Sequence, residues 1–162
     1  MFRPAVTPAS IEKVATIFVR HDGEQFIVVP MHMTPSGIYY EQSDTRVICN
    51  PTSEGLGLAF QSAFNAFSIR DKNVGATKKS DWPAYHASKL KTVRAFEASY
   101  CRISCKSVNS ANVTVRAQTE HPKIPDVDLS VSFNPLVSRL AGERILLLIE
   151  AVSALRGETR AQ

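Results

Sequence analysis

Cysteine is scarce in this chain and poorly placed for chemistry. The three residues, Cys49, Cys101 and Cys105, make an odd count with no CxxC pair, which excludes a disulfide framework and a zinc ribbon. Cys101 and Cys105 fall in an alternating segment that reads as a strand, about 13 Å apart at the usual rise per residue. Bridged cysteines rarely exceed about 7 Å between Cα atoms. All three are therefore expected to be small buried thiols in a reducing compartment.

Histidine offers no metal site either. His21, His32, His86 and His121 show neither HxxxH nor HxH spacing, and Met31-His32-Met33 reads as strand packing rather than as a soft-metal fragment. Long apolar runs are missing too. The longest aliphatic run, Ile145 to Ile149, is far short of a membrane span, and Met1 to Ser10 has no sustained apolar core for a signal peptide. A cytoplasmic protein with no membrane partner is expected. There is no GxSxG elbow and no cysteine-protease signature. Gly55-Leu56-Gly57 opens a helix after a strand, but Phe60 stands at the third glycine position of a dinucleotide fingerprint, and Glu54 adds negative charge where a phosphate would lie. Glu120, Asp126 and Asp128 near His121 read as solvated loop charges. No enzymatic activity, cofactor or metal is expected.

What is present describes an ordinary folded domain. The 162 residues are 44% apolar and 21% charged, and a chain of this length buries roughly 70% of its unfolded surface without staples. One domain, residues 1–162, is expected. The net charge is +4, and the excess is local. Arg70, Lys72, Lys78, Lys79, Lys89, Lys91, Arg94, Arg102 and Lys106 face only Asp71, Asp81 and Glu97 in the same stretch. Such a surface suits an acidic partner or phosphate.

The patterning predicts an α+β fold. Val14–Val19 and Phe26–Val29, joined through His21-Asp22-Gly23-Glu24, form an N-terminal hairpin whose near-continuous apolar content implies cover on both faces. A short strand is expected at Arg46–Cys49. Leu56, Phe60, Phe64 and Phe67 recur as one stripe of a helix begun near Thr52 and Ser53. Ser68–Lys79 reads as an exposed loop. Ser80 is positioned to cap a short helix through Ser88, with Pro83 in its first turn, and Thr92 to cap another through Ala98. Strands at Cys101–Cys105, Val113–Ala117 and Leu129–Phe133 alternate apolar and polar residues, as in an antiparallel meander with one wet face. The connection through His121 and Pro125 is too rich in proline to be a strand. A final helix runs from Asn134 or Ser138 to about Gly157, with Ala141, Ile145, Leu148, Val152 and Leu155 as its main stripe and Leu146, Leu147 and Ile149 widening it. The whole is an antiparallel or mixed sheet with an N-terminal hairpin and a C-terminal meander, flanked by helices.

The segment from Ser80 to Glu97 is the most distinctive. Ser80-Asp81-Trp82, Ala87-Ser88-Lys89, Lys91-Thr92-Val93 and Phe96-Glu97, leading into alternating strands, resemble the immunity proteins of contact-dependent growth inhibition systems. The resemblance implies a small cytoplasmic protein that is not an enzyme. It would bind the toxic C-terminal domain, often a nuclease, of a cognate secreted effector. It also implies that Trp82, Phe96 and Glu97 define the fold rather than touch the toxin. The basic residues Lys78, Lys79, Lys89, Lys91 and Arg94 are the expected partner contacts, so the toxin either presents an acidic patch or is bound away from its catalytic cleft. Nucleic acid is not the expected partner. A small basic RNA- or DNA-binding module, with Trp82 and Tyr85 as stacking groups, is the alternative reading of the same stretch.

Overall fold

A computed structural model describes residues 12–109, 111–119 and 127–160. Eight strands and four helices lie among them: β1 (Val14–Arg20), β2 (Gln25–Met33), β3 (Tyr39–Glu41), β4 (Arg46–Cys49), α1 (Ser53–Asn65), β5 (Ser68–Ile69), α2 (Pro83–Ser88), α3 (Val93–Ser99), β6 (Tyr100–Ser107), β7 (Val113–Thr119), β8 (Val127–Phe133) and α4 (Ser138–Arg160). The fold is α+β. The sheet runs β3-β2-β1-β6-β7-β8, with β4 and β5 also paired to β2, and only the β2–β5 pairing is parallel.

The first hairpin forms where Asp-Gly places it, with Gly23 at φ +75° in the turn. Its register pairs Ile17 with Val28, and β1 pairs on its other edge with β6, Ile17 facing Ile103. Alternate residues therefore serve two cores. Ala15, Ile17, Val19, Phe26 and Val28 join α1, α4 and the inner residues of β6 and β7 in the larger one. Phe18, Ile27, Val29 and Met31 turn to the opposite face, where α2 and α3 cover them with Ala84 and Phe96. This two-sided burial is why the hairpin reads as nearly continuous apolar sequence.

Thr52 caps α1 by accepting the Gly55 N–H at 3.0 Å. Leu56, Phe60 and Phe64 pack inward as the periodicity predicts, with Phe60 edge-on to Phe133. Phe67 departs from that stripe. The helix ends at Asn65, and Phe67 packs against the second core instead. Ser68–Lys79 is not loop throughout, because β5 adds to the end of β2 through its backbone hydrogen bonds. Ser80 caps nothing. Helix α2 starts at Pro83, and Trp82 holds its N-cap position without a side-chain cap. Thr92 does cap α3, accepting the Ala95 N–H at 3.1 Å.

The meander keeps its alternation, with Cys101, Ile103, Cys105, Val113, Val115 and Ala117 buried and Arg102, Ser104, Lys106 and Arg116 exposed. Cys101 and Cys105 are free and buried, but Cys49 is exposed, contrary to expectation, because β4 lies on the outer edge of β2. Helix α4 extends past Gly157 to Arg160, and Leu147 points to solvent while Ala141, Ile145, Leu148, Ile149 and Val152 are buried. The proline-rich connection with Glu120, His121 and Asp126 lies outside the described residues. No helix among the described residues is long and apolar enough to cross a membrane.

Candidate functional site

The segment singled out in the sequence forms a layer over one half of one sheet face. Phe96 is its anchor, 1% exposed, with ring centroids 5.1 Å from both Phe18 and Tyr100 and 6.1 Å from Tyr85. Trp82 is half-buried against the same core. The aromatic residues of this stretch thus hold the layer down rather than present free stacking faces. Glu97 is exposed, and its carboxylate pairs with Lys79 Nζ at 2.7 Å while that ammonium lies 5.7 Å from the centre of the Trp82 ring. One lysine therefore ties the turn before α2 to α3.

The five expected contact residues all lie exposed on this layer: Lys78 and Lys79 before α2, Lys89 and Lys91 in the turn after it, and Arg94 on α3. Lys79 is engaged with Glu97. Among the described residues Lys78, Lys89, Lys91 and Arg94 form no ion pair, so their charge is available to a partner. Lys89 adopts the left-handed conformation, φ 57°, at the C-cap of α2, a position that favours glycine.

A cleft of about 740 Å³ opens beside this layer. One wall is the β2–β3 hairpin, with His32, Tyr39, Tyr40 and Glu41, and a second is the 70–77 segment, with Arg70 and Lys72. The turn into α2 contributes Asp81 and Trp82, and β6 contributes Arg102. Tyr40 fastens two walls together, since its hydroxyl donates to the Arg70 carbonyl at 3.1 Å and its ring lies 4.9 Å from Lys72 Nζ. Glu41 supplies the cap that Trp82 cannot, because its carboxylate accepts the Ala84 N–H at 2.9 Å in the first turn of α2. Burial raises the Glu41 pKa above its ordinary value, against the lowering effects of that N–H and of the Arg102 charge. His32 sits deeper. Its Nδ1 lies 2.9 Å from Ser68 Oγ and 3.2 Å from Gln42 Nε2, and burial lowers its pKa.

Beyond Arg102 the outward face of β6–β8 is exposed among the described residues. It is polar: Thr114 and Ser132 hydrogen-bond across strands at 2.8 Å, and Arg116 lies 4.0 Å from Asp128. No cluster of three histidine, cysteine, aspartate or glutamate side chains able to hold a metal occurs among the described residues. Sequence reasoning placed Arg70, Lys72 and Arg102 in the basic stretch but missed the cleft that gathers them. It also missed Glu41. Tyr39-Tyr40-Glu41 after the Pro35-Ser36-Gly37 turn carried a weak strand signal, and nothing local shows that its carboxylate reaches a helix 43 residues on.

No family model matches the chain, and no curated protein matches it. Solved structures do. A protein of unknown function from Neisseria meningitidis superimposes with a TM-score of 0.65 at 11% identity, covering 90% of this chain and 98% of that one. A chain of the CdiA-CT/CdiI toxin and immunity complex from Yersinia pseudotuberculosis does so with a TM-score of 0.57 at 10% identity, covering 85% and 97%. The likeness is one of fold.

Proposed function

We propose that this chain is an immunity protein. It binds the C-terminal toxin domain, a nuclease, of a cognate contact-dependent growth inhibition effector in the cytoplasm and blocks it without catalysis. The observation that carries this reading is the fold likeness to a chain of a toxin and immunity complex over nearly that chain's whole length. It agrees with the resemblance carried by Ser80–Glu97, the segment that forms the α2–α3 layer. The mechanism is steric and electrostatic occlusion, in which exposed cations that form no ion pair among the described residues speed encounter and select the cognate partner.

The alternative, nucleic-acid binding, draws on the same exposed cations. It has less support, because Phe96 is spent in the core, Trp82 is half-buried, and Tyr85 packs edge-on to Phe96. Co-expression with the C-terminal domain of the protein encoded immediately upstream tests the proposal. The expected result is rescue of growth and a stoichiometric complex on purification. Neither rescue nor complex, with both proteins soluble, overturns it.

A further inference from the structure

The α2–α3 layer carries a charge excess that the cleft beside it does not. From Lys78 to Glu97 there are five cations, Lys78, Lys79, Lys89, Lys91 and Arg94, against two carboxylates. Both carboxylates are engaged, Glu97 with Lys79 Nζ and Asp81 with the Lys78 N–H at 2.9 Å. Glu41, reaching the layer from β3, caps α2 and still leaves the cations in excess. The excess is concentrated in the α2–α3 turn and the first turn of α3. There Lys89, Lys91 and Arg94 are exposed and form no ion pair among the described residues. The backbone of that turn is held at both ends. Ser88 Oγ donates to the Tyr85 carbonyl at 2.6 Å and lies 3.3 Å from the Leu90 N–H, Leu90 packs on the second core, and Thr92 caps α3. Lys89 holds φ 57° within it, where glycine would be unstrained. The backbone that carries these charges is thus set before a partner arrives, which lowers the ordering cost of binding.

We infer that Lys89, Lys91 and Arg94 seat on an acidic face of the toxin domain, beside the cleft in which that domain holds its substrate's phosphates and not inside it. The inference rests on the immunity reading above, with a nuclease as the toxin, and names the surface through which it operates. A nuclease attracts a polyanion, so the walls of its cleft carry positive potential. A cationic turn pushed into such a cleft meets like charge, which costs affinity and slows encounter. An acidic face outside the cleft pairs with the same three cations and discriminates against other toxins. From there the bulk of the chain stands in the path of a long substrate. Charge takes no part in that block, because the turn does not repel phosphate. A long strand is therefore excluded by volume, while a ligand small enough to lie within the cleft still enters.

Two probes of different length test this. A labelled phosphorothioate dinucleotide and a long phosphorothioate strand, each as DNA and as RNA, are titrated into the toxin domain alone, into its complex with the chain, and into the chain alone. The complex should bind the dinucleotide within about twofold of the free toxin domain and the long strand at least about tenfold more weakly. The Lys89→Glu, Lys91→Glu double variant should weaken the complex at least about tenfold, with thermal melts showing that the variant folds. A dinucleotide excluded as completely as the long strand means that the chain plugs the cleft, and it overturns the inference. So does a complex of unchanged affinity in the double variant, or a chain that by itself binds the long strand as tightly as the toxin domain does. A toxin domain that binds neither probe is no nuclease and overturns it too. Growth rescue with the dinucleotide excluded counts against the docking face alone. Neither rescue nor complex removes the immunity reading, and this inference with it.

Discussion

Gly57 of α1 lies against the backbone of Ser138, the first residue of α4, so closely that a Cβ at position 57 would collide with the Ser138 carbonyl. The relationship is reciprocal, for a Cβ at Gly142 of α4 would collide with the carbonyl of Ser53, the first residue of α1. The two helices cross at their first turns with backbone on backbone, and Ser138 Oγ donates to Glu54 at the same crossing. Gly57→Ala should therefore destabilise the fold by about 3 kcal/mol, since backbone cannot yield as a side chain does. Gly157→Ala, with nothing within 4 Å, should be neutral or stabilising by roughly 0.5–1 kcal/mol. Urea denaturation of the two variants compares them, and equal midpoints would remove the crossing as the reason for Gly57.

Phe96 and Trp82 should separate in the same assay. Phe96→Ala empties a fully buried site and should cost about 3–5 kcal/mol. Trp82→Ala leaves a half-open position and should cost about 2 kcal/mol. If Trp82→Ala leaves stability untouched while abolishing partner binding, the tryptophan is a contact and not a structural anchor.

Lys89 joins backbone strain to an exposed charge. Replacing it with glycine relieves the left-handed conformation and should stabilise the protein by about 1 kcal/mol. If the lysine also steers a partner, the same change should slow association. A loss of stability in Lys89→Gly would show that its side chain does structural work not visible in the fold.

Reversing Lys78 and Lys79 to glutamate should lower the association rate with the cognate toxin domain about tenfold and flatten its salt dependence, with little change in dissociation. Stopped-flow measurements over a salt series report both. Kinetics identical to the parent at every salt concentration would dismiss the patch.

Glu41 predicts a pH dependence of stability. Its folded pKa is raised above the ordinary 4.5, so the folded state holds this proton longer than the unfolded chain does. Its contribution is therefore most favourable below 4.5 and is lost as the pH climbs through that value to the raised one. Glu41→Gln can still accept the Ala84 N–H but has nothing to ionise. The variant should gain on the parent as pH rises from about 4 to 7. Denaturant midpoints measured across that range should diverge, and a constant offset would contradict the assignment.

His32 has the opposite sign. Burial depresses its pKa below 6.5, so the unfolded chain takes up a proton first and stability falls as pH drops below that value. His32→Asn keeps an acceptor near Ser68 and Gln42 and should abolish this acid-side loss. Parallel melts of the two proteins between about pH 7 and 5 would reveal it.

Much of the fold was legible because periodicity records which side of an element is buried. The stripe Leu56, Phe60, Phe64 and the alternation through Cys101–Cys105 and Val113–Ala117 each mark one apolar face, and the structure buries those faces. The rule failed where the chain changes partner. Phe67 continues the helical spacing by count, yet the backbone has already left α1 and carries the ring to the other core. Leu147 is apolar but projects from the far side of α4. The strands β3 and β5 are too short to show a period, and they exist because β2 extends far enough to offer free backbone groups.

The sequence by itself determined the class of fold, the caps at Thr52 and Thr92, the two-sided burial of the first hairpin and the basic character of the middle of the chain. Each depends on residues within a turn or a strand of one another, where spacing and side-chain chemistry suffice. The tertiary structure alone decided that β1 pairs with β6, that Gly57 and Gly142 let two helices touch, and that Glu41 caps α2. It alone gathered Arg70, Lys72 and Arg102 around one cleft. Those relationships join segments far apart in the chain, and only the packing of the sheet fixes the distances between them.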